Sequence, residues 1–110
     1  MNQTITVGDV SANPGEIKKG YALSVELRDG SPIRIPAIVM NGKEDGPHVV
    51  IIAGTHPTEL VGVAGVHLLA KRINMNDLKG SITIFPLANP LAMQFGAYVT
   101  PHDGVNLSTA

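Results

Sequence analysis

His56 and Glu59 are the residues of this chain whose types and spacing point most directly to chemistry. At the start of a helix, residues three apart are neighbours, about 5–6 Å apart at Cβ. An imidazole nitrogen and a carboxylate oxygen so placed can both reach one zinc ion at about 2.0–2.2 Å. Zinc takes that pair of ligand types. A catalytic zinc usually has three protein ligands and a water, so His-x-x-Glu is half of a site. The spacing alone has little specificity: with four histidines and four glutamates in 110 residues, a chance match is expected about one time in seven. The competing reading is a Thr55 or His56 helix cap ahead of a solvated Glu59, an acid the helix dipole favours. Residue types leave both readings open.

The other histidines carry less. His67 lies two helical turns beyond Glu59, about 12 Å along the axis, too far to share a metal. His48 precedes a strand and is expected in solvent. His102 sits in a terminal loop and reads first as a loop residue, with Asp103-Gly104 a turn beside it. There is no Gly-x-Ser-x-Gly elbow and no phosphate-cradling glycine loop.

The elements that must position His56 and Glu59 follow from patterning. Val49-Val50-Ile51-Ile52-Ala53 is a β-branched apolar run of buried-strand length. Gly54-Thr55-His56-Pro57 breaks it, and proline near a helix's first position loses no hydrogen bond. A helix is expected from about Thr58 to Ile73, apolar on nearly every face and therefore buried. Gly62 and Gly65 each cost about 1 kcal/mol in helix propensity, a cost that close packing on the sheet would offset. Asn74 to Asp77 ends the helix, and Ser81 to Phe85 alternates as a strand that Pro86 stops. Strand, crossover helix and strand make a βαβ unit with parallel strands. The carboxyl ends of such strands are where ligands sit.

Upstream, residues 1–20 read as polar and turn-rich. Tyr21 to Arg28 alternates as a half-buried strand, Asp29-Gly30 is a hairpin turn, and Ile33 to Met40 is the return strand. Pro36 within it implies an edge position or a bulge. Asn41 to Pro47 reads as an exposed loop. From Ala88 onward the pattern becomes irregular: an Asn89-Pro90 turn, a short helical turn at Leu91 to Phe95, then loop. More than twenty such residues at a domain's end are uncommon and read as a chain cut inside a functional loop.

Composition narrows the classes. Eight Lys and Arg against nine Asp and Glu give a net charge of −1, so no basic patch awaits nucleic acid. Aromatics are 4%, too few for base stacking. Cysteine is absent, which removes disulfides and thiolate ligands. No apolar run approaches the roughly 20 residues of a membrane span, and no leader pattern opens the chain. The expectation is a soluble, cytoplasmic protein.

Taken together, Gly54-Thr55-His56-Pro57-Thr58-Glu59 resembles the Gly-x-His-Gly-x-Glu zinc motif of the succinylglutamate desuccinylase/aspartoacylase family, within the zinc carboxypeptidase superfamily. The resemblance extends over most of the chain. Gly20 to Pro47 is similar to that family's lead-in, and Leu78 to Pro90 to its second strand and the Asn-Pro turn after it. Gly96 to Leu107 is similar to the start of its substrate loop. It implies one zinc (Zn2+) held by His56, Glu59 and a later histidine, and hydrolysis of the amide of small N-acyl amino acids. Tyr98, Asn106, Ser108 and Thr109 fall at substrate-binding positions. Pro57 stands where the family has Gly, Tyr98 where it has Arg, and Ser108-Thr109 where it has Asn-Arg. An arginine clamps a carboxylate through two parallel bonds that Tyr or Thr cannot copy. No third ligand histidine and no general base are evident.

The expected fold class is α/β: an N-terminal β-hairpin lead-in followed by a βαβ unit of a mostly parallel or mixed sheet, an incomplete zinc-carboxypeptidase-like fold. The division is a lead-in over 1–47 and a partial hydrolase domain over 48–110. The expected function is the N-terminal segment of a zinc-dependent deacylase, inactive alone. The alternative is a degenerate, non-catalytic module for binding or assembly. Open sheet edges make a homo-oligomer a further expectation.

Overall fold

The structure, a computed structural model, describes residues 3–56, 60–91, 104 and 106. Two short strands, β1 (Ile5–Val7) and β2 (Val10–Ala12), form an antiparallel ribbon. β3 (Ile17–Glu26) and β4 (Pro32–Asn41) form the hairpin. β5 (Glu44–Ile52), α1 (Leu60–Arg72) and β6 (Lys79–Phe85) form the βαβ unit. One four-stranded sheet holds both, in the order β3-β4-β6-β5. β4 pairs antiparallel with β3 and β6, whereas β5 and β6 run parallel. The fold is thus a mixed α/β sheet with a hairpin lead-in, as patterning predicts. None of the described helices is long and apolar enough to cross a membrane.

Alternation along β4 builds two cores, one on each face of the sheet. Ile38 and Met40 point to one side, where they meet Ile84, Ala53 and Val66 of α1. Ala37 and Val39 point to the other and pack on Val10 and Ala12 of the ribbon. The buried Asn41 at the end of β4 anchors that ribbon: its Nδ2 donates to Gln3 O at 2.8 Å and Ala12 O at 3.0 Å.

Several expectations change. Residues 1–20 are not merely turns. They hold β1, β2 and the first residues of β3, because three-residue strands are too short to show a period and are held by burial against β4. β3 is exposed along much of both faces rather than half-buried, with Tyr21, Leu23 and Val25 40%, 51% and 46% exposed. The 41–47 stretch is only briefly a loop. Gly42 N donates to Gly80 O at 2.9 Å, and β5 already starts at Glu44, opposite Lys79. Gly46-Pro47 falls in the register irregularity that follows.

The Asp29-Gly30 turn forms as expected: Gly30 N donates to Leu27 O at 3.0 Å, and Asp29 Oδ1 accepts from Ser31 N at 2.9 Å. Pro36 takes the bulge alternative, since it lies opposite Tyr21 where the register shifts before Leu23. β4 pairs with β6 only from Ile38 onward, so no ladder bond to β6 is lost at Pro36.

The helix departs most from expectation. Among the described side chains of α1, a stripe of Val63, Val66 and Ala70 packs on the sheet. Val61 is 87% exposed, and Leu68 and Leu69 are also exposed. The physical reason is geometric: one sheet face covers one helix stripe. Packing offsets little of the glycine cost, because a Cβ at Gly62 would meet Ala53 Cβ only at 4.0 Å and one at Gly65 would meet nothing within 4 Å. After Arg72 the chain makes a 3-10 turn, Met75–Asp77, capped by Asn74.

Candidate functional site

β5 ends at Ile52, and the next four residues deliver His56 to the carboxyl edge of the parallel pair. Backbone bonds fasten this passage to the segment after β6. Ala53 N donates to Phe85 O at 2.9 Å, Ala88 N to Ala53 O at 2.9 Å, and Asn89 N to Gly54 O at 3.1 Å. Gly54 turns the chain at φ +70, a region that favours glycine. It also sits close against the neighbouring segment, because a Cβ there would come within 2.9 Å of Leu87 Cα. Glycine is therefore required at Gly54 on two counts.

His56 is buried, at 7% exposure. Its Nε2 lies 2.7 Å from Asn106 Oδ1. An amide oxygen only accepts, so Nε2 carries the proton and the lone pair of the neutral ring is on Nδ1. This is how metal-ligating histidines are commonly held: one ring nitrogen donates to an oxygen, which sets the tautomer for the other. The imidazole thus fits a zinc ligand in kind. Asn89, 5% exposed, is buried in the same carboxyl-edge segment that is tied to Gly54.

The predicted site residues divide sharply. His56 and Asn106 are brought together from fifty positions apart. Glu59, Tyr98, His102, Asp103, Ser108 and Thr109 lie outside the described residues. Among the described residues, no group of three His, Cys, Asp or Glu gathers to hold a metal. His67 is exposed on α1.

Two arrangements escape a linear reading. Asn106 was legible only as a substrate-binding position, and its contact with His56 is long-range. His48 is exposed, as expected, yet it is bonded across β5 and β6: Nδ1 lies 2.5 Å from Ser81 Oγ, and Nε2 lies 3.4 Å from Thr83 Oγ1. The parallel register, which sets His48 beside Ser81, creates that cluster. For Asn89, the Asn-Pro dipeptide was a signal for a turn, not for burial.

Comparison with known proteins places this geometry in context. A model of the succinylglutamate desuccinylase/aspartoacylase catalytic domain matches residues 45–106. The N-alpha-acetyl-L-2,4-diaminobutyric acid deacetylase of Halomonas elongata is 30% identical over 76 residues, which cover 69% of this chain and 22% of that protein. An aspartoacylase family protein from Mesorhizobium loti superposes with a TM-score of 0.73 at 31% identity, over 94% of this chain and 32% of that one. A product-bound ectoine utilization protein from Ruegeria pomeroyi superposes with a TM-score of 0.71 at 26% identity, over 83% of this chain and 28% of that one. The chain therefore spans less than a third of the length of each of these relatives.

Proposed function

The chain belongs to the succinylglutamate desuccinylase/aspartoacylase family, and from that premise we propose that it supplies the first part of a zinc-dependent deacylase site. The reaction is hydrolysis of the amide of a small N-acyl amino acid: water adds to the acyl carbon, the C–N bond breaks, and a carboxylic acid and a free amine leave. The deacetylase name of the Halomonas relative supports that class of substrate. The observation that carries the reading is His56, buried at the carboxyl edge of β5 with Nε2 held by Asn106 Oδ1.

In this reading His56 and Glu59 are the two zinc ligands that this chain contributes. A bound zinc supplies polarisation of the scissile carbonyl and a water that is nucleophilic near neutral pH. The chain's own residues do the positioning. Asn106 fixes the His56 ring and its tautomer. Gly54 and the backbone bonds to Ala88 and Asn89 fix where His56 leaves the sheet. Tyr98, Ser108 and Thr109 are assigned to the substrate side, where they replace the Arg and Asn-Arg that the resemblance leads one to expect. Substrate carboxylate is then held by single hydrogen bonds rather than a two-pronged clamp, which weakens that recognition.

Two side chains give a weak zinc site, and a third ligand is needed for turnover. The test is zinc stoichiometry and affinity of the purified chain beside His56→Ala and Glu59→Gln. Weak binding that falls at least tenfold in both variants supports the reading. Zinc binding equal in all three proteins overturns it.

A further inference from the structure

We propose a second reactive site on the ribbon side of the sheet, in which Ser81 is a nucleophile and His48 its base, and which takes the acyl group of a small activated ester. The zinc-site reading uses neither residue. His48 Nδ1 lies 2.5 Å from Ser81 Oγ, and at the other side of the ring Nε2 lies 3.4 Å from Thr83 Oγ1. A hydroxyl within hydrogen-bond reach of a base, with a third group beyond that base, is the arrangement that activates a serine.

Topology builds the pair. The parallel register of β5 and β6 sets His48 beside Ser81. Ser81 is also opposite Asn41, and Thr83 opposite Val39, so all of them lie on the face that carries Val39 and the β1–β2 ribbon. Ser81 and Thr83 are two apart on β6 and therefore point the same way, one to each nitrogen of a single imidazole. In the neutral ring with its proton on Nε2, that N–H is directed at Thr83 Oγ1 and the Nδ1 lone pair accepts from the Ser81 hydroxyl. A base placed on the hydroxyl proton in this way can remove it as the oxygen attacks.

The pair has room beside it. Gln3, Thr4, Ile5 and Gly46 join His48 and Ser81 around an open recess of about 390 Å³, a volume within the range of small-molecule sites. Ser81 is 6% exposed and His48 is exposed, so the nucleophile sits on the floor and the base at the rim. From His48 the strand runs about 13 Å to its end at Ile52, at roughly 3.3 Å per residue, before the passage to His56 begins. The recess is thus separate from the candidate zinc site, and its chemistry needs no metal.

The reaction balances without a further reagent. Ser81 Oγ adds to the acyl carbon while its proton passes to His48 Nδ1. The C–O bond to the leaving oxygen breaks, and an aryl oxide departs with the electron pair. His48 releases its proton to solvent. It then takes a proton from an attacking water and returns it to Ser81 Oγ as the carboxylic acid leaves. Activated esters are the substrate class because an aryl oxide is stable without a proton.

The test is a burst assay of the metal-free chain, in EDTA, with p-nitrophenyl acetate, followed by peptide mass mapping of the acylated protein. EDTA keeps the outcome apart from that of the zinc reading. A burst approaching one p-nitrophenolate per chain is expected, with the acetyl group on Ser81. Ser81→Ala should abolish the burst. His48→Gln, which retains a hydrogen-bonding group, should slow it about 100-fold. His67→Gln removes an exposed imidazole from α1 and should change nothing. Ser81→Cys keeps a nucleophile in place and should carry the acetyl group on its sulfur, which separates lost chemistry from lost fold. No burst from the wild-type chain, a burst unchanged in Ser81→Ala, or an acetyl group mapped only to other residues overturns the proposal. So does equal slowing by His67→Gln, which would assign the reaction to exposed imidazoles in general.

Discussion

His56 Nε2 donates to Asn106 Oδ1 across 2.7 Å, joining the end of β5 to a residue fifty positions later. The bond satisfies a ring N–H on a buried side chain. It also decides which ring nitrogen carries the lone pair. Removing the acceptor should therefore act on both stability and metal affinity. Asn106→Leu is expected to destabilise the fold by about 1–3 kcal/mol, the cost of an unsatisfied buried donor. Zinc affinity should fall about 10–100-fold, as for lost outer-shell partners of ligating histidines. Asn106→Asp retains an acceptor and should lose far less of either. Urea melts and zinc titration of the two variants check this.

Gly54 should tolerate no side chain. Gly54→Ala imposes left-handed backbone on alanine, at about 1–3 kcal/mol, and drives its Cβ toward Leu87 Cα. Gly30→Ala provides the comparison, because Gly30 is also left-handed, at φ +82, but a Cβ there meets nothing within 4 Å. Urea midpoints should fall in both, and further in Gly54→Ala. Only Gly54→Ala should also weaken zinc binding, since the turn aims His56.

The two cores and the exposed helix face should respond very differently to truncation. Ile84 is fully buried between β6 neighbours and α1. Ile84→Ala is expected to cost about 2–5 kcal/mol from lost burial and the cavity left behind. Val61 is 87% exposed, and Val61→Ala should fall within about 0.5 kcal/mol of wild type. Equilibrium unfolding of the two variants separates these outcomes.

His48 should matter to the βαβ unit although it is solvent-exposed. Its ring bonds the hydroxyls of Ser81 and Thr83, which are 6% and 2% exposed residues of β6. His48→Ala leaves the buried Ser81 hydroxyl without that partner and should destabilise by about 1–2 kcal/mol. His48→Gln, which retains a hydrogen-bonding group, should recover part of the loss in the same unfolding assay.

Among the described residues, Glu16 and Asp29 contribute to the acid limb of stability. Glu16 accepts from Asn13 N at 2.8 Å, and that backbone bond is the largest cause holding its carboxyl below the usual value of 4.5. Asp29 is lowered from 3.8, chiefly by the Ser31 backbone N–H. A depressed folded pKa means that the stabilisation is present above the unfolded pKa and is lost as pH falls through the folded one. Stability should therefore decline as pH falls below about 4.5, by a small amount because both groups are solvent-accessible and screened. Glu16→Gln should flatten that limb, and carbon-detected NMR titration should place both carboxyls below their ordinary values.

Local sequence determined the elements whose signals are local. The β-branched run of β5, the Asp-Gly hairpin turn, the stop at Pro86 and the strand-helix-strand order were all legible, because backbone preference and hydrophobic period act within a few residues. The His56 motif, with the similarity around it, was legible in the same way. Tertiary structure alone decided what depends on residues far apart. It formed β1 and β2, which are too short to show a period but are buried on β4. It left most of α1 exposed, because one sheet face can cover only one helix stripe. It brought Asn106 to His56, and it set His48 beside Ser81 through the parallel register. Burial and hydrogen-bond partners are properties of the packed chain, so no window of neighbouring residues contains them.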